Sequence, residues 1–382
     1  MNRIKYVAAL GIFGIITTEF GIIGILPQIA HHYNIGMDKA GWLLSGFALV
    51  IAVCGPWVTL AASRSDRKKM MVFNLLLFIL SNILSALAPP FWLLLAARIL
   101  PAFLHPLYFS AAIYAAVTNA PEKDKHKATA VIFSGVSIAT VAGVPLTTYL
   151  ADVFSWQTAF TGFGIVNIVA LIAVLIFIPP MHVTQKRSVG LQLGLLGKPT
   201  FLLQAITTSL MIAAMFALYG YFADFMEKIN HLNGVQISKM LLLFGVLGVA
   251  GNWFAGKMLS KSLPATLVFY LLILAVIYTM LYFTNGYNFY TIVLTAVWGF
   301  VHTGCFLIGQ SWISSAAKGS EEFANSLGVA FTNLGIALGT TIGGWIIINK
   351  GVQYTAWASI ALITLALVLT VIKLSYHRRQ VK

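Results

Sequence analysis

Twelve runs of about 20 apolar residues follow one another along this chain, parted by short polar gaps. A helix needs about that length to cross a hydrocarbon core of roughly 30 Å. The runs fall at about 6–30, 40–62, 70–88, 91–118, 128–151 and 157–179, then 199–226, 237–259, 265–284, 288–314, 323–349 and 352–375. Only 9% of the residues are charged, against roughly 25% in a soluble domain. Lipid is therefore the expected solvent. The expected fold class is an all-α membrane protein of twelve transmembrane helices. The first run is too long for a signal peptide and no small-residue cleavage site follows it, so it reads as the first span.

The net charge of +14 would suggest nucleic acid in a soluble protein. Here the basic residues sit in the gaps and orient the chain, so no nucleic-acid partner is expected. With the N-terminus in the cytoplasm, only Lys39, Lys228, Lys239 and Lys350 fall outside, and Arg98 lies within a span. The other nineteen of the 24 Lys and Arg fall inside, which places both termini in the cytoplasm. Gaps such as Pro89-Pro90 and Asn285-Gly286 carry turn chemistry. Cys54 and Cys305 lie in apolar runs and read as small apolar residues, with no disulfide or metal spacing.

The chain also repeats itself. A shift of 197 residues superposes Phe47 on Phe244, Ser63-Arg64-Ser65 on Ser260-Lys261-Ser262, Phe103-Leu104-His105 on Phe300-Val301-His302, and Thr158-Ala159 on Thr355-Ala356. Two six-helix pseudo-repeats in parallel orientation follow, over residues 1–180 and 199–382, joined by a cytoplasmic linker at 181–198. Transporters built this way hold solute between the halves near mid-membrane.

Over essentially its whole length the chain resembles the major facilitator superfamily. It is most similar to the bacterial drug–proton antiporter branch, among sugar-efflux and purine-nucleoside-efflux permeases. The residues that carry this are Thr17-Thr18-Glu19-Phe20 through Gly24-Ile25-Leu26-Pro27, Phe133-Ser134-Gly135 with Gly143-Val144-Pro145, and Ser155-Trp156-Gln157-Thr158-Ala159-Phe160. The last resembles that branch's glycine-tryptophan-arginine turn with the glycine and arginine replaced. The superfamily's loop G-x-L-a-D-r-x-G-r-k aligns its aspartate with Ser63 and its second glycine with Asp66, while Arg64, Arg67 and Lys68 keep the basic set. A gating latch made by that aspartate is thus put in doubt. Arg98 matches the arginine of the family's fourth helix, and Pro106 stands where a glycine is usual. The resemblance implies alternating access, with proton entry driving solute export and no cofactor beyond the proton gradient. It also implies a bacterial cytoplasmic (inner) membrane location and a monomer that suffices.

Glu19 is the acid set deep within a span, roughly 20 Å along the first helix. A charged residue at that depth costs about 2.5–3.5 kcal/mol on insertion scales, and a proton removes most of that cost. Arg98 falls at a similar depth, and a Glu19–Arg98 pair, direct or through water, is the expectation. An adjacent cation favours the charged carboxylate and desolvation favours the neutral one, so alternating hydration would switch proton affinity. His105 and His302 are repeat mates near mid-depth. Each reads either as a buried neutral imidazole bonded to a neighbouring helix or as a group titrating near neutral pH. His105 is placed with proton coupling and His302 with the solute cavity. Glu19 aligns with Phe216, so carboxylate coupling belongs to the first half.

Further cavity candidates are Thr18, Gln204, Thr208, Tyr219, Trp298, Gln310, Asn325 and Asn333. Interhelical hydrogen bonds and aromatic belts compete with that reading. Asp224 ends the seventh run and reads as an outer gate or a solvated helix end. Gly135, Ala139 and Gly143 recur every four residues, as do Gly335, Gly339 and Gly343, a spacing that lets helices approach closely. Pro145 adds a bend, and in the antiporter branch the Gly143–Pro145 segment is associated with export. No H-E-x-x-H or Walker motif occurs, which argues against a membrane enzyme. The repeat and the lone deep carboxylate argue against a channel. The leading expectation is proton-coupled export of small organic solutes or drugs, with proton-symport uptake of a sugar or nucleoside as the alternative.

Overall fold

The computed structural model describes residues 3–62, 65–121, 124–181, 197–316 and 321–380. Arg64 and most of the expected linker, 182–196, lie outside the described residues, as does the side chain of Asn325. Twelve helices long and apolar enough to cross a membrane are present, and no strand occurs among the described residues. The spans are Arg3–Gly24, Met37–Thr59, Arg67–Ala86, Phe91–Thr118, Lys127–Val153, Trp156–Phe177, Pro199–Lys228, Gly234–Leu259, Leu263–Tyr282, Phe289–Ser314, Leu327–Lys350 and Val352–Ser375. Each lies within a few residues of its apolar run. Large apolar side chains such as Trp92, Ile176 and Phe289 stay exposed around the bundle, as a lipid-facing surface requires.

Polar residues at the span ends start the helices by accepting orphan backbone N–H groups. Asp66 Oδ1 accepts from Lys69 N at 3.0 Å, and Ser155 Oγ accepts from Thr158 N at 3.2 Å. Asn233 and Gln236 form a reciprocal capping box at the eighth span. Gly286 turns the chain into the tenth span with φ of 74°, a conformation that favours a residue without Cβ.

An even number of spans puts both ends of the chain on one face. We call it the basic face, and its opposite the far face. The halves meet along the far side. The second span packs against the eleventh, the fifth against the eighth, and the helix Leu26–Tyr33 after the first span against Phe222–Lys228 of the seventh. Named contacts run from Gly36–Ile348 at the far end to Gly24–Leu241 and Gly41–Tyr221, and then to Gly245–Val141 and Phe20–Phe216 near mid-depth.

Within the second half, Gly335, Gly339 and Gly343 lie against the carbonyl oxygens of Ser209, Ala213 and Ala217. In the first half, Gly135 lies against the Ala9 carbonyl and Gly143 against the Thr17 side chain. The four-residue spacing thus brings the eleventh span onto the seventh and the fifth onto the first.

Candidate functional site

Three helices depart from regular α geometry around Glu19. The first span tightens into a 3₁₀ turn at Ile22–Gly24, and the fourth does so at Leu100–Phe103, where Pro101 sits. The fifth widens into a π turn at Ala139–Gly143, with Val144 N–H reaching back to the Ala139 carbonyl, just before Pro145. The expected bend at Pro145 is therefore preceded by a π segment that sequence reading missed. Such bulges concentrate at functional sites, and broken helices in transporters line the solute path.

Glu19 sits just before the first of these breaks and His105 just after the second. His105 Nε2 lies 3.1 Å from Glu19 Oε2, with both side chains almost fully buried. The contact is close but off the line of a good hydrogen bond, so its strength depends on charge. Phe47 and Phe109 flank the imidazole, with ring centroids at 5.9 and 5.3 Å.

Arg98 is buried in the same half, but the expected direct Glu19–Arg98 pair is not formed in this conformation. Its Nη2 donates to the Thr18 carbonyl at 2.9 Å, and its guanidinium lies 5.4 Å from the Phe160 ring centre. The reason is the 3₁₀ stretch between Arg98 and His105. In an unbroken helix, residues seven apart share a face. The tightened turn rotates them apart, giving the carboxylate to the histidine.

Thr18, expected in the solute cavity, is instead a knot within the first half. Its hydroxyl donates to the Gly14 carbonyl at 2.8 Å and accepts from Asn82 at 3.3 Å and Asn167 at 3.1 Å. With the Arg98 bond, this residue ties the first, third, fourth and sixth spans together.

The cavity candidates of the second half divide in two. Gln204 donates to Ser315 Oγ at 3.1 Å, the Thr208 hydroxyl bonds the Gly309 carbonyl at 3.3 Å, and Asn333 donates to the Val329 carbonyl at 3.0 Å. These bonds tie helices together or close a turn, as buried polar groups in lipid must. Gln310 packs beside Gly328 near the basic face. Tyr219, Trp298 and His302 lie together at mid-depth in a cluster of rings.

Asp224 is buried at the far-face seam, with Oδ1 held by Lys228 at 2.8 Å and Oδ2 without a hydrogen-bond partner. Sequence reading did not find Asp152. Its Oδ2 accepts from the Val235 backbone N–H at 3.1 Å, across the halves. An exposed carboxylate at a span end gives no sign of a partner 83 residues away.

On the basic face, Asp66 also accepts from Met181 N at 3.0 Å. Arg67 donates to Ser110 at 2.9 Å and lies over the Tyr114 ring, and Lys68 donates to the Leu175 carbonyl at 2.8 Å. The loop is thereby fastened to the fourth and sixth spans of its own half. A crevice of about 370 Å³ opens sideways between the second, fourth and eleventh spans, lined by Trp42, Leu49, Leu95, Leu334 and Leu338. None of the candidate residues lines it. Among the described residues no cluster of His, Cys, Asp or Glu could hold a metal ion.

Known proteins place this geometry. The Major Facilitator Superfamily model matches residues 8–321. The chain is 30% identical to the inner membrane transport protein YdhP of Escherichia coli K12, over 97% of this chain and 95% of that one. It is 27% identical to a probable sugar efflux transporter of Mannheimia succiniciproducens, over 92% of this chain and 89% of the relative. The solved structure of the nucleoside transporter NupG superposes with a TM-score of 0.79 at 11% identity, covering 98% of both chains. The family match spans most of the chain and the fold agrees with it: this is a multi-pass membrane transporter belonging to the Major Facilitator Superfamily.

Proposed function

We propose that this chain exports small organic solutes across the bacterial cytoplasmic membrane in exchange for protons, working as a monomer with both termini in the cytoplasm. The observation that carries the reading is the buried Glu19–His105 contact, made just before the 3₁₀ turn of the first span and just after that of the fourth. A carboxylate and an imidazole can each carry a proton, and the contact places both within reach of the same one. Removing the proton leaves a charge in a dry site, which disfavours closure around an empty, ionised carboxylate. Exchange follows if the site closes with either a proton or a solute bound and not with neither.

The neighbours support export as well, since the chain is similar to a probable sugar efflux transporter over most of its length. The basic face is assigned to the cytoplasm by the asymmetry of Lys and Arg. The test uses inside-out vesicles with an acidified lumen and a dye that reports the pH gradient. Transported solutes should discharge the gradient and accumulate in the lumen. Glu19→Gln should reduce both to background. Solute accumulation driven by an alkaline lumen would instead establish symport, and unchanged behaviour of Glu19→Gln would remove the carboxylate from the mechanism.

A further inference from the structure

The 197-residue repeat pairs Glu19 with Phe216 and His105 with His302. The structure keeps both pairings in space. His105 meets Glu19 in the first half, and His302 meets Phe216 in the second, with ring centroids 6.1 Å apart. The same two positions hold a proton-binding pair on one side and an imidazole facing a phenyl ring on the other.

Rings surround His302. Tyr219 lies at 4.6 Å, Phe244 at 5.2 Å, Phe306 at 6.1 Å and Trp298 at 6.2 Å. Tyr219 stacks on Phe244 at 4.9 Å with 16° between the planes. Phe216 reaches the first half through Phe20 at 5.9 Å, so the cluster borders the seam between the halves. Both ring nitrogens of His302 are buried without a hydrogen-bond partner. An unpaired polar atom in a dry interior is costly, and the cost at these two nitrogens is offset if a partner arrives in another state of the cycle.

The helices that supply these rings carry no Asp, Glu, Lys or Arg over 199–223, 240–256 and 289–316. A permanent cation buried there would have no counter-ion on these stretches, and desolvating it costs more than a cation–π contact returns. A polyol needs more hydrogen-bonding groups than one imidazole, one indole and one phenol supply.

We propose that Tyr219, Phe244, Trp298 and His302 form the solute-recognition wall and that it takes a flat, uncharged aromatic heterocycle. The ring enters by parting the Tyr219–Phe244 stack, at the offset-stacked spacings aromatic pairs prefer. Its polar edge meets His302 and Trp298. The assignment rests on the transport reading above but not on the direction of transport or on the proton.

The test is equilibrium binding to the full chain in lipid nanodiscs without any gradient, corrected for empty nanodiscs. The probes are quinoline, indole and nicotinamide, with L-arabinose and tetraphenylphosphonium as comparators. At least one of the three heterocycles should bind saturably. His302→Phe, which keeps the ring and removes both nitrogens, should weaken it about tenfold, the size of one lost hydrogen bond. Tyr219→Leu should weaken it too, and Gly256→Ala, whose added Cβ meets only a Leu307 methyl at 3.8 Å, should leave it within about threefold. Size-exclusion profiles identify any variant that fails to fold, and Tyr219→Leu then carries the comparison for His302→Phe. The proposal is overturned if none of the three heterocycles binds, if only a comparator binds, or if both ring variants bind like the parent chain. Loss of proton coupling in the vesicle assay with ring binding intact would defeat the export reading alone.

Discussion

The carboxylate of Asp152, at the end of the fifth span, accepts a hydrogen bond from the Val235 backbone N–H, in the first turn of the eighth. The bond joins the two halves at the far face. It uses the positive end of a helix, where a carboxylate stabilises by about 0.3–1 kcal/mol when exposed. Opening toward the far face must break it.

Asp152→Ala is therefore expected to favour the far-open state, by about two- to fivefold in population. A single cysteine placed at Leu241, which packs against Gly24 across the seam, should react correspondingly faster with a membrane-impermeant maleimide. Asp152→Asn keeps an acceptor oxygen and should show a smaller change. Equal labelling rates in all three proteins would dismiss Asp152 as a latch.

Loss of the histidine should separate coupling from folding. His105→Gln keeps a polar side chain beside Glu19 but cannot carry a positive charge. Solute-driven proton movement should fall at least about tenfold, the range of general acid–base contributions starting at 10². Thermal stability should change little, since the imidazole makes no aligned hydrogen bond in this state. A large drop in melting temperature with coupling retained would make His105 a packing residue.

Arg98 should behave in the opposite way. Its guanidinium satisfies the Thr18 carbonyl and covers the Phe160 ring. Lysine cannot reproduce the planar group, and Arg98→Met leaves the carbonyl without that donor. Either substitution should destabilise the purified protein, by about 1–3 kcal/mol for Arg98→Met, read as reduced melting temperature and yield. A stable Arg98→Met protein with altered pH dependence of transport would assign the arginine to coupling alone.

Glycine substitutions should sort by what their Cβ would meet. At Gly339 it would collide with the Ala213 carbonyl, and at Gly135 it would lie 2.5 Å from the Ala9 carbonyl oxygen. At Gly256 the nearest neighbour is a Leu307 methyl at 3.8 Å. Gly339→Ala and Gly135→Ala should cost about 1–3 kcal/mol, as overpacking does, whereas Gly256→Ala should be neutral. Melting temperatures of the three variants in one detergent check this ordering.

The spans were legible because hydrocarbon thickness fixes their length, and apolar runs register that length directly. The expected run 91–118 coincides with the fourth span, for example. What it contains was less legible. Arg98 and His105 are seven residues apart, and only the 3₁₀ turn at Leu100–Phe103 decides which of them reaches Glu19. Pro101 and Pro106 stand in and just after that turn, but the rotation of a helix face is not encoded in composition. The π turn before Pro145 escaped for a similar reason, since no residue type is diagnostic of it. Thr18 looked like a cavity residue because hydroxyls in spans are ambiguous, and its role emerged only when Asn82 and Asn167 were seen to converge on it.

The glycine row of the eleventh span has a mechanical consequence. Gly335, Gly339 and Gly343 are keyed against carbonyls on three successive turns of the seventh span, and a pair of helices meshed like a rack has little slack for sliding. The two must swing as one beam. The eleventh helix also bears on the second across the seam, while the seventh carries Phe216 and Tyr219. A displacement of the eleventh helix at the seam would therefore carry the seventh with it, and with it the rings around His302.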